Sequence, residues 1–120
     1  MKLVRQGDRS DTYGGRFTGP VELEMLHEAE TSSEPDLAHV HFHDGAVSNW
    51  HQHPGGQRLF VSRGVARVGT ESDGAIELHP GDLVVSPPDE RHWHGAAPGQ
   101  DASLLAITWG VTEWEDLAPE

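Results

Sequence analysis

The 120-residue chain contains no cysteine. That excludes a disulfide framework and a thiolate metal site, and it leaves the redox compartment open. No apolar run is long enough to span a bilayer. The opening stretch MKLVRQGDRS turns polar after Val4 and lacks the apolar segment of a secretion signal. A cytoplasmic location is therefore expected. Positive charge is scarce: 8 Lys and Arg stand against 20 Asp and Glu, for a formal net charge of −12 with neutral histidines. An acidic surface of this kind repels phosphate backbones and anionic lipid, so neither nucleic acid nor membrane is an expected partner. Helical periodicity is nearly absent, and there is no internal repeat, low-complexity tract or linker.

What recurs instead is a short apolar run followed by a turn signal. VELEML (21–26), DLAHVHF (36–42), QRLFVS (57–62), VARVGT (65–70), AIEL (75–78), DLVVS (82–86), RHWHG (91–95) and ASLLAITW (102–109) read as strands. Between them lie Asp44-Gly45, Pro54-Gly55-Gly56, Pro80-Gly81-Asp82, Pro87-Pro88-Asp89 and Pro98-Gly99, where Gly and Pro supply positive or fixed φ. Many short strands at this spacing indicate an all-β sandwich or small barrel. We expect one domain, with a barrel over 17–109, an N-terminal arm over 1–16 and a C-terminal tail over 110–120. VTEWEDL, with Thr112 and Glu115 as a capping box, is expected to be a short helix.

Histidine is in excess, with 9 residues, and its spacing carries chemistry. Residues two apart on a strand share a face, so His51 and His53 project together. Pro54-Gly55-Gly56 turns the chain so that Gln57 returns on a neighbouring strand, and His92 arrives from a distant one. Three imidazoles and one amide oxygen converging inside a barrel suit a borderline divalent ion: manganese, iron, nickel, cobalt or zinc. Gln57 in place of a carboxylate leaves the ion its full charge, which favours a bound anion and weakens retention. His94, two residues from His92, should face the interior too, either as a packed histidine or beside the metal. His39, His41 and His43 alternate with Val40 and Phe42 and should face away from the metal. Trp50, Trp93 and Trp109 flank inward residues; outward tryptophans favour an interface, and a homodimer is expected.

These spacings resemble the two motifs of the cupin superfamily. Gly45, His51, His53, Gln57 and Gly64 match the first, with Gln57 where glutamate is usual. Gly81, Pro87 and His92 match the second, with Asp89 and Ala96 where glycine and asparagine are usual. The fold this implies is the cupin β-barrel, a jelly-roll-like double-stranded β-helix. FTGPV, WHQHPGGQ, HPGDLV and HWHGAAP are further similar to small bacterial cupins that include manganese-dependent hydroxynitrile lyases. That resemblance implies one divalent metal, manganese first, and a small-molecule substrate. It also implies a pocket lined by Ala38, Val40, Phe42 and Thr108, with His94 near the metal as the catalytic candidate. One position departs from it. Those lyases carry an acid–base histidine just before the last-strand Leu-Ala-Ile, and here that pocket position is Leu104. A three-His-plus-Gln centre is also similar to that of some aromatic polyketide cyclases. Three classes stay open: lyase-type Lewis-acid chemistry, metal-dependent oxygen chemistry, and a metal or small-ligand binding module.

Overall fold

A computed structural model describes residues 1–5, 9–10 and 16–120, the pair 9–10 through its backbone alone. Among the described residues every regular element is a strand. One sheet runs in the order β1 (Arg9–Ser10), β3 (Val21–His27), β4 (Asp36–Phe42), β12 (Ala102–Thr108), β7 (Gln57–Gly64), β10 (Leu83–Ser86). The second runs β13 (Glu113–Trp114), β6 (His51–Gln52), β11 (His92–Ala96), β5 (Val47–Ser48), β2 (Phe17–Thr18). Alongside it β8 (Ala66–Thr70) pairs with β11, and β9 (Gly74–Leu78) pairs with β8. All pairings are antiparallel. The expected N-terminal arm falls partly outside the described residues; within it, Arg9 and Ser10 pair with Glu24 and Leu23.

The period of two decides what lies between the sheets. On β4, Ala38, Val40 and Phe42 are buried while His39 and His41 are half-buried on the outer face. On β12, Ala102, Leu104 and Ala106 point inward, and on β7 Leu59 and Val61 meet them. Phe42, Leu59, Val61 and Leu104 are fully enclosed. Each such side chain contributes roughly 1.5–3 kcal/mol relative to exposure, so the barrel has a core independent of any ion. Gly64 closes β7 at φ 78°, where a Cβ would lie 2.0 Å from the carbonyl oxygen of Asp101. Only glycine lets the chain pass there.

One expectation changes. The C-terminal tail is not helical: Glu113 and Trp114 form β13 and pair with Gln52 and His51. Seven residues are too few to sustain a helix on their own, whereas strand pairing places the Trp114 ring against Phe17 and His51. The tryptophans expected on the outside carry arginine caps. Arg91 lies 4.0 Å over the ring of Trp50, Arg67 5.3 Å over Trp93, and Arg58 5.4 Å over Trp109. Trp93, packed on Gly69, is buried.

Candidate metal centre

Three strands and a turn assemble the site. His51 on β6 and His92 on β11 are direct cross-strand partners. The turn after His53 is closed by the Gly56 amide, which donates to the His53 carbonyl at 3.1 Å, while Asp89 N–H donates to the same oxygen at 2.9 Å. Gly56 has φ 87°, and a Cβ there would lie 2.8 Å from the Ser86 carbonyl. Glycine is thus required for the reversal that delivers Gln57 to the start of β7, opposite Thr108 of β12. The ring nitrogens of His51, His53 and His92 lie within 4.8 Å of one another, and all three side chains are buried.

The hydrogen bonds behind these rings fix where their lone pairs point. His51 Nδ1 is 2.8 Å from the Asn49 carbonyl and His92 Nδ1 is 3.0 Å from the Glu90 carbonyl. A carbonyl only accepts, so each Nδ1 carries the proton and each Nε2 presents a lone pair. His53 Nδ1 is 3.0 Å from Thr112 Oγ1, and its Nε2 is buried with no partner. The Gln57 amide donates from Nε2 to Thr108 Oγ1 at 2.9 Å, which turns Oε1 toward His92 Nε2 at 3.0 Å. A neutral His92 has one proton for two acceptors, so at one of them two lone pairs face each other. Charging the ring would resolve this, but burial holds the His92 pKa below the usual histidine value. A cation that takes both lone pairs removes the conflict. The residues therefore fit a divalent metal, with His51, His53 and His92 able to bind it.

Burial is the main cause of every pKa shift in the cluster. It pushes His53 down to about 4, helped by the neighbouring His92. It holds His51 well below the usual value, with His92 and His53 adding to the effect against the hydrogen bond to Asn49. His94 is likewise held well below it, by burial first and then by the other three rings. At neutral pH the cluster is a set of uncharged bases, the protonation state that metal ligation needs.

The remaining site candidates separate by depth. Ala38, Val40, Thr108 and His94 line a cavity of about 30 Å³ beside the cluster. Phe42 and Leu104 share their face but lie deeper, in the closed core, and do not line it. His94 receives support through its backbone, whose N–H donates to Ser48 Oγ at 3.1 Å, and its Nδ1 is buried without a partner. Its ring centroid is 5.1 Å from that of His51. Five further residues line it that the strand and motif spacing did not assign to a site: Phe17, Asp36, Ala106, Thr112 and Trp114. On the opposite side of the sheet, His39 and His41 come near Glu24. There His41 is bound through Nδ1 to Ser103 and through Nε2 to Glu24, both at 2.7 Å, and His39 Nε2 is 2.7 Å from Ser62 Oγ.

The structure is thus a curled two-sheet barrel with three inward imidazoles able to hold a metal. The cupin domain model matches residues 38–108, and the chain belongs to that family. It is 39% identical over 109 residues to an (R)-mandelonitrile lyase of Granulicella tundricola, covering 89% of this chain and 83% of that one. A cupin-like protein of Thermotoga maritima superposes with a TM-score of 0.83 at 34% identity, covering 100% of this chain and 92% of that chain. A polyketide cyclase of Streptomyces resistomycificus shares the fold alone, with a TM-score of 0.76, 16% identity, and coverage of 95% and 84%.

Proposed function

We propose that the protein is a mononuclear metal-dependent lyase that makes or breaks a carbon–carbon bond beside a small hydroxy or carbonyl compound, cyanohydrins being the test class. The observation that carries this reading is the facing pair His92 Nε2 and Gln57 Oε1 within a cluster of neutral imidazoles. A cation between them would take both lone pairs, and these four side chains would give it no anionic ligand. The likeness to the (R)-mandelonitrile lyase supplies the reaction class. His51, His53, Gln57 and His92 would hold the metal, manganese first. When bound, it supplies Lewis acidity, stabilising negative charge on a substrate oxygen or on a cyanide-like anion.

The chain's own groups do the rest. Ala38 and Val40 give the substrate an apolar wall, and Thr108 fixes the Gln57 amide while itself bordering the cavity. His94, uncharged and with Nδ1 unpartnered, is the group that accepts the hydroxyl proton in cleavage and returns it in the reverse direction. Leu104, enclosed in the core, has no proton to exchange, so proton transfer falls to His94, with the Asp36 carboxylate bordering the same cavity. Cyanohydrin cleavage is accordingly expected to be slow, since one positioned acid–base group is worth ~10²–10⁴-fold.

The test is a panel of cyanohydrins from lactonitrile to mandelonitrile, assayed by aldehyde release with manganese-loaded protein. Cleavage that a chelator abolishes, that His94→Ala abolishes at equal metal content, and that proceeds without dioxygen supports the reading. A reaction that stops under anaerobic conditions makes the protein an oxygenase instead. One equivalent of bound metal with no turnover of any member overturns lyase chemistry on this class.

A further inference from the structure

The C-terminal strand is built into the site. Trp114 is the cross-strand partner of His51, and its ring lies 4.5 Å from the His51 ring at a 36° tilt. Phe17 meets it edge-on at 5.9 Å, and both rings line the cavity. Two residues earlier, Thr112 holds His53 through Nδ1. The segment is also held from behind. Glu115 N–H donates to the Trp50 carbonyl at 3.0 Å, and Trp50 N–H donates to the Leu117 carbonyl at 2.9 Å. Asn49 Nδ2 donates to the Glu115 carbonyl at 3.2 Å. Arg91 binds the Glu115 carboxylate through two nitrogens, at 2.5 and 3.0 Å, while stacked on Trp50. A bidentate guanidinium–carboxylate pair is the strong, geometrically fixed kind. The wall that carries Trp114 is therefore anchored to the residues immediately preceding His51 and His92.

We infer that Trp114 is a size filter that restricts the site to ligands of a few non-hydrogen atoms and excludes ring-bearing ones. This rests on the metal-site reading above. The cavity of about 30 Å³ is near the space that one or two waters need, whereas a void of about 150 Å³ is needed to take a benzene ring. Removing the indole opens a space of that order against Phe17, Ala38 and Val40, which are apolar and suit an aryl group. Arg91 and Glu115 act as positioning residues, because they reach the cavity only through the strand they hold.

The experiment uses the full chain loaded with cobalt(II) and reads the cobalt absorption spectrum, not turnover. The probes are acetate, isobutyrate and benzoate, whose shared carboxylate keeps the metal-binding group constant while the tail grows. The unmodified protein is expected to bind acetate at least ten-fold more tightly than benzoate. Trp114→Ala should reduce or invert that ratio by ten-fold or more at unchanged cobalt stoichiometry, with Trp114→Phe intermediate. Glu115→Gln should move the ratio in the same direction by a smaller factor. An unchanged ratio in Trp114→Ala overturns the filter while leaving the metal site standing. So does selective loss of benzoate binding, which would make the indole a stacking platform. If Trp114→Ala does not fold, the ratio in Trp114→Phe decides alone. Unmodified protein that takes up no cobalt overturns the metal-site reading and the filter with it.

Discussion

Replacing Gln57 by Glu separates the metal-free protein from the metal-loaded one. The side chain is 3% exposed and is shared between Thr108 and His92. Without metal, the variant places a carboxylate among uncharged imidazoles and removes the amide donor to Thr108. A buried group left without its partner costs about 1–3 kcal/mol. For a chain of this length each kcal/mol moves the melting temperature by about 3–5 °C, so the chelated variant should melt about 3–15 °C below the chelated parent. With metal, the carboxylate meets a full positive charge, and affinity should rise at least ten-fold, about 1.4 kcal/mol. The metal-induced rise in melting temperature should therefore be larger in Gln57→Glu than in the parent. Differential scanning calorimetry with chelator and with a fixed excess of manganese measures both shifts in one series. A metal-induced shift equal to or smaller than the parent's, or expulsion of the metal, would refute the placement of Gln57 at the ion.

Replacing His39, His41 and His43 together by Ser should leave the inner site's metal content unchanged by elemental analysis. It should still lower stability, since His41 joins the buried Glu24 to Ser103. Leu104→His puts a polar ring into the closed core, off the cavity, so it should lower the melting temperature and leave cyanohydrin cleavage nearly unchanged at equal metal loading; a ten-fold gain would show that position 104 reaches the substrate. Acid should weaken the metal-free fold between pH 6.5 and about 4. There the unfolded chain takes up protons that buried His53, with its pKa of about 4, does not, so stability falls as pH falls and the contribution levels off below about 4. His53→Gln should flatten that slope in a urea titration with chelator across the window; an unchanged slope would contradict the burial argument.

The motif histidines were legible because strand period and turn chemistry act locally. His51 and His53 share a face by alternation, and the Pro54-Gly55-Gly56 turn forces Gln57 back beside them. Alternation assigns a face but not a depth. Ala38, Val40, Phe42 and Leu104 all point inward, yet only the first two border the cavity. Depth depends on where each strand crosses its neighbours, such as the register of Leu104 against Val40 and Val61. The C-terminal segment departs from its local signal for a related reason. Thr112 and Glu115 have helix-capping spacing, but the pairing of Trp114 with His51 is long-range. The arginine caps on the tryptophans depend on cross-strand register as well: Arg67 pairs with Gly95, two positions from Trp93.

Elemental analysis of the purified, reconstituted protein and its His51→Ala and His92→Ala variants bears most directly on the metal centre. The parent should hold one equivalent of divalent metal. Each variant should lose most of it while keeping the β-rich circular dichroism spectrum, because the core of Phe42, Leu59, Val61 and Leu104 does not depend on the ion. One full equivalent retained in both variants would contradict the site described by these side chains.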